Sequence, residues 1–273
     1  MILRGTRLLL FVFGALTFLA FLALFVMAGH TDRYFAWTIV PPVTAAFFGA
    51  AYAAGCAGVF LGLRSGRWAG IRVPYVGILV FTLVALGATL LHLDRFHFHA
   101  VGTVARFAAW LWLGVYLLIP VAMLTMLLVQ ELRAEPAERE RPRFPVQLLV
   151  TVQSVVLLAV GVTLLVAPGL ARVLWPWPLT PLTARVVAAW LLGFGVAIAL
   201  GLRQADRAEP GTAAGAYAVL AALELVVVLR YAGAVRWGSA AAWGYLAMAA
   251  SILGLAVVTL VRARRRPAGP LTS

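Results

Sequence analysis

Lysine and asparagine are absent from the 273 residues, cysteine occurs once and histidine four times. Without a lysine amine there is no Schiff-base chemistry of the retinal kind. Without asparagine there is no N-glycosylation acceptor. A lone Cys56 in the middle of an apolar run excludes a disulfide framework, a zinc ribbon and an iron–sulfur cluster within this chain. The two missing residue types also point to a GC-rich bacterial genome. Charge is scarce as well, at 11% of residues. No P-loop, G-x-S-x-G, H-E-x-x-H or dinucleotide fingerprint occurs, so the standard catalytic signatures are missing.

Apolar residues dominate instead. They make up 64% of the chain, and the mean hydropathy is +1.00. Ordinary soluble domains carry about 45–50% apolar and about 25% charged residues, so the surplus here is expected to face lipid. Several apolar runs reach the roughly 20 residues that cross a hydrocarbon core. The formal charge of +13 resembles that of a nucleic-acid binder. That reading fails because the arginines sit in short loops between apolar runs, with no basic face of a soluble fold to carry them.

Eight spans are expected, over 8–29, 43–63, 74–93, 105–130, 146–167, 183–202, 212–231 and 240–261. The apolar run of the first is too long for a signal peptide's h-region, which holds about 7–15 residues, so it reads as a retained helix. Arginine placement then sets the orientation. Fifteen fall on the side of the N-terminus (Arg4, Arg7, Arg64, Arg67, Arg72, Arg133, Arg139, Arg141, Arg143, Arg203, Arg207, Arg262, Arg264, Arg265 and Arg266). Seven fall on the other (Arg33, Arg95, Arg106, Arg172, Arg185, Arg230 and Arg236). By the positive-inside rule both termini are cytoplasmic, in a bacterial inner membrane.

The chain also looks duplicated. Shifting "FAWTIVPPVTAAFFGAAYAAGCAGVFLGLR" (35–64) by 139 positions onto "WPWPLTPLTARVVAAWLLGFGVAIALGLR" (175–203) places Pro42, Thr44 and Ala45 on Pro181, Thr183 and Ala184. Gly62, Leu63 and Arg64 fall on Gly201, Leu202 and Arg203. Tryptophan suits the headgroup level, proline suits a helix's first turn, a nearby threonine can cap a free N–H, and the final arginine snorkels to phosphates. Trp37, Trp175 and Trp177, like most tryptophans and tyrosines here, are expected at the membrane interfaces. The expected fold is an all-α integral membrane protein of two parallel four-helix repeats, 1–135 and 146–273, joined by a charged cytoplasmic linker at 136–145. An even number of spans per half puts the relating axis along the membrane normal. Small residues in "GAAYAAGCAG" (49–58) and "GFGVAIALG" (193–201) serve close helix packing, with a backbone-lined pore as the sharper alternative.

No loop between spans is long enough for a folded domain, so activity is expected within the membrane or at its surfaces. Two candidates stand out. "LLHLDRFHFHA" (90–100) carries His92, Asp94, His97 and His99 near the outer end of the third span, and His30 with Asp32 lies in the first outer loop. In an extended segment Arg95, His97 and His99 would meet water while Phe96 and Phe98 dip into the interface. A metal site needs three or four converging ligands. The second half has no histidine to mirror these, so an interfacial rim is preferred over a metal or haem site.

The second candidate is Glu224, the acidic residue deepest in a span, about 18 Å from the inner boundary at about 1.5 Å per residue. Intramembrane carboxylates usually mark a pathway, relay or ion site. Tyr217 and Tyr231 lie seven residues to either side, on one helix face, whereas Arg230 points elsewhere. The structural alternative is a hydrogen bond from Glu224 to Gln153 or Ser154 that ties two helices together.

Three functions remain open: passage of a small solute or ion between the halves with Glu224 as the polar residue, a membrane redox or metal protein using the outer histidines, and a non-catalytic subunit or assembly factor. Lipid is the expected partner, joined by a small solute or ion under the first of these readings; nucleic acid is not, and the residues leave the cofactor and any protein partner open.

Overall fold

The computed structural model describes residues 2–132, 144–203 and 210–265. Among these, eight helices are long and apolar enough to cross a membrane. They are Arg4–Val26, Pro42–Ser65, Trp68–Leu90, Thr103–Glu131, Phe144–Val166, Pro181–Arg203, Pro210–Arg230 and Ala240–Arg265. Residues 136–143 of the expected linker lie outside the described residues, as do Arg133, Arg139, Arg141, Arg143, Arg207 and Arg266. Large apolar side chains such as Phe11, Leu118 and Leu229 stand on the outer surface, at 68%, 71% and 78% exposure. A soluble monomer does not present such a belt.

The third helix begins at Trp68, six residues before its expected start at Pro74. Pro74 therefore lies a turn and a half inside the helix rather than at its start. The added turn is held from the side: the Trp68 indole donates to Glu131 at 3.0 Å and the Arg72 guanidinium pairs with the same carboxylate at 2.6 Å. At this end the Leu3 amide and Thr6 hydroxyl donate to the Gln130 side chain, and Gly66, in the left-handed region at φ 66°, turns the chain so that its carbonyl accepts from the Ile2 amide.

The second and sixth helices start as expected, each with proline in the first turn. Their threonines differ. Thr180 and Thr183 bond reciprocally, side chain to amide at 2.8 and 3.2 Å, as a capping box does. Thr44 instead accepts the indole N–H of Trp177 at 3.0 Å, across 133 residues of chain.

Helices from the two ends of the chain interlock at the centre: the second packs along the seventh and the third along the sixth. Glycine permits the closest approaches. A Cβ on Gly77 of the third helix would stand 2.7 Å from the Gly193 carbonyl oxygen of the sixth, and the reverse contact is also 2.7 Å. The first helix ends in a π-helical turn, Leu22–Val26, beside Gly49, where an added Cβ would lie 2.5 Å from the Phe25 amide nitrogen. Arg230 of the seventh helix donates to the Phe25 carbonyl at 2.8 Å, a group that the wider π turn leaves accessible.

Six of the nine tryptophans (Trp37, Trp68, Trp112, Trp175, Trp177 and Trp190) are buried, whereas Trp110, Trp237 and Trp243 are exposed. The buried rings pack within the protein rather than standing on its outer surface. Their edges meet one another: Trp37 packs T-shaped on Trp112 at 4.9 Å, and Trp175 on Trp177 at 5.4 Å. Such pairs gain about 0.5–1.5 kcal/mol beyond the area they bury.

Candidate functional site

Glu224 lies in the middle of the seventh helix and is 5% exposed. Its Oε2 accepts a hydrogen bond of 2.6 Å from the Tyr245 hydroxyl of the eighth helix. Its Oε1 is buried with no partner among the described residues. Neither residue proposed from the sequence as its partner is bonded to it. Gln153 donates to Ser251 Oγ at 2.9 Å, and the Ser154 hydroxyl donates to the Gly195 carbonyl at 2.9 Å. The fifth helix spends these groups on the eighth and sixth helices, so the tie from Glu224 runs to the eighth.

Tyr245 escaped the sequence reading because periodicity relates residues on one helix and says nothing about its neighbour. The one available signal was a tyrosine within an otherwise apolar run. Its ring packs edge-on against Trp175 and Trp177 at 5.7 and 5.4 Å, and Trp177 is the residue bonded to Thr44. Glu224 is thus linked through Tyr245 and Trp177 to the first turn of the second helix.

A cavity of about 210 Å³ opens beside Glu224, walled by Phe47, Trp175, Phe194, Tyr217 and Tyr245 with aliphatic side chains between them. A second, of about 360 Å³, lies between the central helices and includes Tyr75, Phe81, Gln153, Trp190 and Gly193. Tyr217 and Phe194 border both. The structure therefore brings Glu224 and Tyr217 to one cavity and places Gln153 on the other. Tyr231 lines neither; it stands just beyond the end of its helix, with the Arg230 guanidinium 5.2 Å from its ring centre. Trp175 lines the smaller cavity, and its indole N–H is also buried without a partner among the described residues.

The histidine loop is folded differently from an extended ribbon. Leu93–Arg95 forms a 3₁₀ turn, and Phe96 bridges to Trp37. Phe96 is buried against Trp37 at 5.2 Å, and Phe98 packs on Trp110 at 4.8 Å. These rings were expected in the interface, but the aromatic cluster at this end offers them denser contact. His97 does not turn to water either. Its Nδ1 lies 3.0 Å from the Phe35 carbonyl and its Nε2 3.0 Å from the Thr38 hydroxyl. A carbonyl can only accept, so Nδ1 carries a proton and donates to it, while Nε2 is engaged by the Thr38 hydroxyl. Both ring nitrogens are used. His30 and His99 are exposed, and Asp94 pairs with Arg95 at 2.9 Å. Among the described residues no group of three or more His, Cys, Asp or Glu side chains is placed to hold a metal ion.

The loop before the eighth helix is tied in a similar manner. The His97 amide donates to the Ala36 carbonyl at 2.8 Å, and the Arg236 amide to the Pro176 carbonyl at 2.9 Å. The His97 side chain reaches the Phe35 carbonyl, and the Arg236 guanidinium reaches the carbonyls of Trp175 and Arg172. An imidazole and a guanidinium thus secure the two loops in similar ways.

His92 faces Arg185 of the sixth helix, Nη1 to Nε2 at 2.8 Å. Arginine has only N–H donors, so Nε2 accepts and the imidazole is neutral. Burial, and then the Arg185 charge, hold its pKa below the ordinary 6.5. A histidine depressed in the folded state takes up protons more readily when unfolded, so its contribution to stability is complete above about pH 6.5 and shrinks as pH falls through its folded pKa. His92→Gln, whose side-chain oxygen still accepts from Arg185, is expected to flatten the fall in melting temperature between pH 7.5 and pH 5. An unchanged slope would remove His92 as its source.

No family model matches this chain, no curated protein matches it, and no solved structure matches it.

Proposed function

We propose that this chain is a multi-pass membrane protein built from two related four-span halves, and that it passes a small solute or ion between them with Glu224 as the polar coupling residue. One observation carries the reading: a carboxyl group at mid-helix lines a cavity and keeps one oxygen unpartnered. An acidic group in that position is expensive to maintain for packing alone. Duplication is supported by the repeated loop bonds, by the prolines that open the second and sixth helices, and by the crosswise pairing of second with seventh and third with sixth. The arginine distribution supports a reading with both termini on the cytoplasmic side of a bacterial inner membrane.

The test uses proteoliposomes. Entrapped pyranine reports proton movement, and labelled sodium, choline, alanine and glucose report solutes. Glu224→Gln keeps an oxygen for Tyr245 to bond, so its melting temperature should stay near that of the parent protein. At least one flux present with the parent protein should fall to that of empty vesicles. A variant that carries every probe as the parent does, or a parent protein that carries none, overturns the reading.

A further inference from the structure

We infer that the cavity beside Glu224 binds a small organic ammonium ion carrying an acceptor oxygen, which names the cargo class and rests on the passage reading above. Size comes first. At the roughly 30 Å³ that one water occupies in the liquid, about 210 Å³ holds about seven water-sized groups, the scale of an amino alcohol.

Charge comes next. Glu224 is the only acidic or basic residue on the wall, and its bare Oε1 calls for a positive or donating partner. Arg236 does not supply one, because its two terminal nitrogens are directed at the carbonyls of Ala171, Arg172 and Trp175. A proton, a metal ion and an organic cation are the choices. A metal ion would want several oxygen ligands, and this wall offers one carboxylate amid rings. The rings decide for the organic cation. Phe47, Trp175, Phe194, Tyr217 and Tyr245 line the cavity together with Glu224, and aromatic faces attract ammonium groups in a desolvated site. Finally, the unpartnered Trp175 indole is a donor on the same wall, so the complementary ligand presents an acceptor oxygen away from its charge.

Isothermal titration calorimetry on the detergent-purified full chain separates the parts. Ethanolamine and choline are expected to bind. The compound 3,3-dimethylbutan-1-ol, which has choline's shape without its charge, should bind at least about tenfold more weakly. Losing one partner of a buried charge pair costs several kcal/mol, so Glu224→Gln should weaken choline at least about thirtyfold. Trp175→Phe should weaken choline about fivefold through its lost hydrogen bond and leave tetramethylammonium, which has no oxygen, unchanged. Equal binding of choline and the neutral alcohol, or full affinity in Glu224→Gln, overturns the proposal. Choline binding without flux in proteoliposomes would sink the passage reading and leave the ligand class standing. Glu224-dependent flux of another probe with no ammonium binding would do the reverse.

Discussion

Gly77→Ala is expected to destabilise the protein by about 1–3 kcal/mol, the usual cost of forcing a methyl group into a filled interior. The cost is hard to escape at this position. The new Cβ would meet the Gly193 carbonyl oxygen at 2.7 Å and the Ala197 Cβ at 2.8 Å, and neither can rotate aside as the end of a long side chain could. Relief requires the third and sixth helices to separate. That separation would disturb the stacked Phe81 and Trp190 rings, 3.8 Å apart at the same crossing. Gly193→Ala should behave alike, since its Cβ would meet the Gly77 oxygen at 2.7 Å. Gly87→Ala, on the same helix with nothing within 4 Å, is the control and should melt with the parent protein. Thermal melts in one detergent decide the matter. Equal melting of Gly77→Ala and Gly87→Ala would show that the helices do not cross this closely. Gly77, Phe81, Trp190 and Gly193 also line the larger cavity, so the crossing that sets stability shapes that space too.

Tyr245→Phe should cost about 1–3 kcal/mol for a different reason: it leaves Glu224 Oε2 as bare as Oε1. Glu224→Leu alone strands the Tyr245 hydroxyl and should cost a similar amount, whereas replacing both partners leaves apolar side chains among apolar neighbours and should be near neutral. In the Glu224→Leu background, Tyr245→Phe should then cost far less than it does alone. The coupling between the two sites is read from the double-mutant cycle. Additive effects would mean that the 2.6 Å contact contributes nothing. The result bears on function as well. A Glu224–Tyr245 pair whose joint replacement leaves stability unchanged is kept for something other than stability, whereas a pair whose joint replacement destabilises the fold is a helix tie.

Much of the architecture was legible in the residues. Runs of about 20 apolar side chains must be satisfied by their own backbone bonds in lipid, so the number of long helices and their approximate places follow from hydropathy. Pro42 and Pro181 marked two helix starts correctly, because a missing N–H does no harm in a first turn. The third helix begins ahead of its expected bound, because Trp68 and Arg72, anchored on Glu131, extend it before Pro74. Glu224 stood out by its depth alone.

Its surroundings did not. Helical periodicity correctly set Tyr217 on the Glu224 face, but Gln153 was assigned as a partner without any knowledge of which helix lies opposite. The eighth helix supplied Tyr245 instead. The histidines were read as an interfacial rim whose polar side chains meet water, yet His92 turns to Arg185 and His97 to Phe35 and Thr38. The residue types and their order determined how many long apolar helices form and roughly where each begins, since those properties depend on short stretches meeting their solvent. Which side chains meet was decided only by the tertiary structure. A hydrogen bond or a ring contact joins residues as far apart in the chain as Thr44 and Trp177, and no local pattern records which helices will pack together.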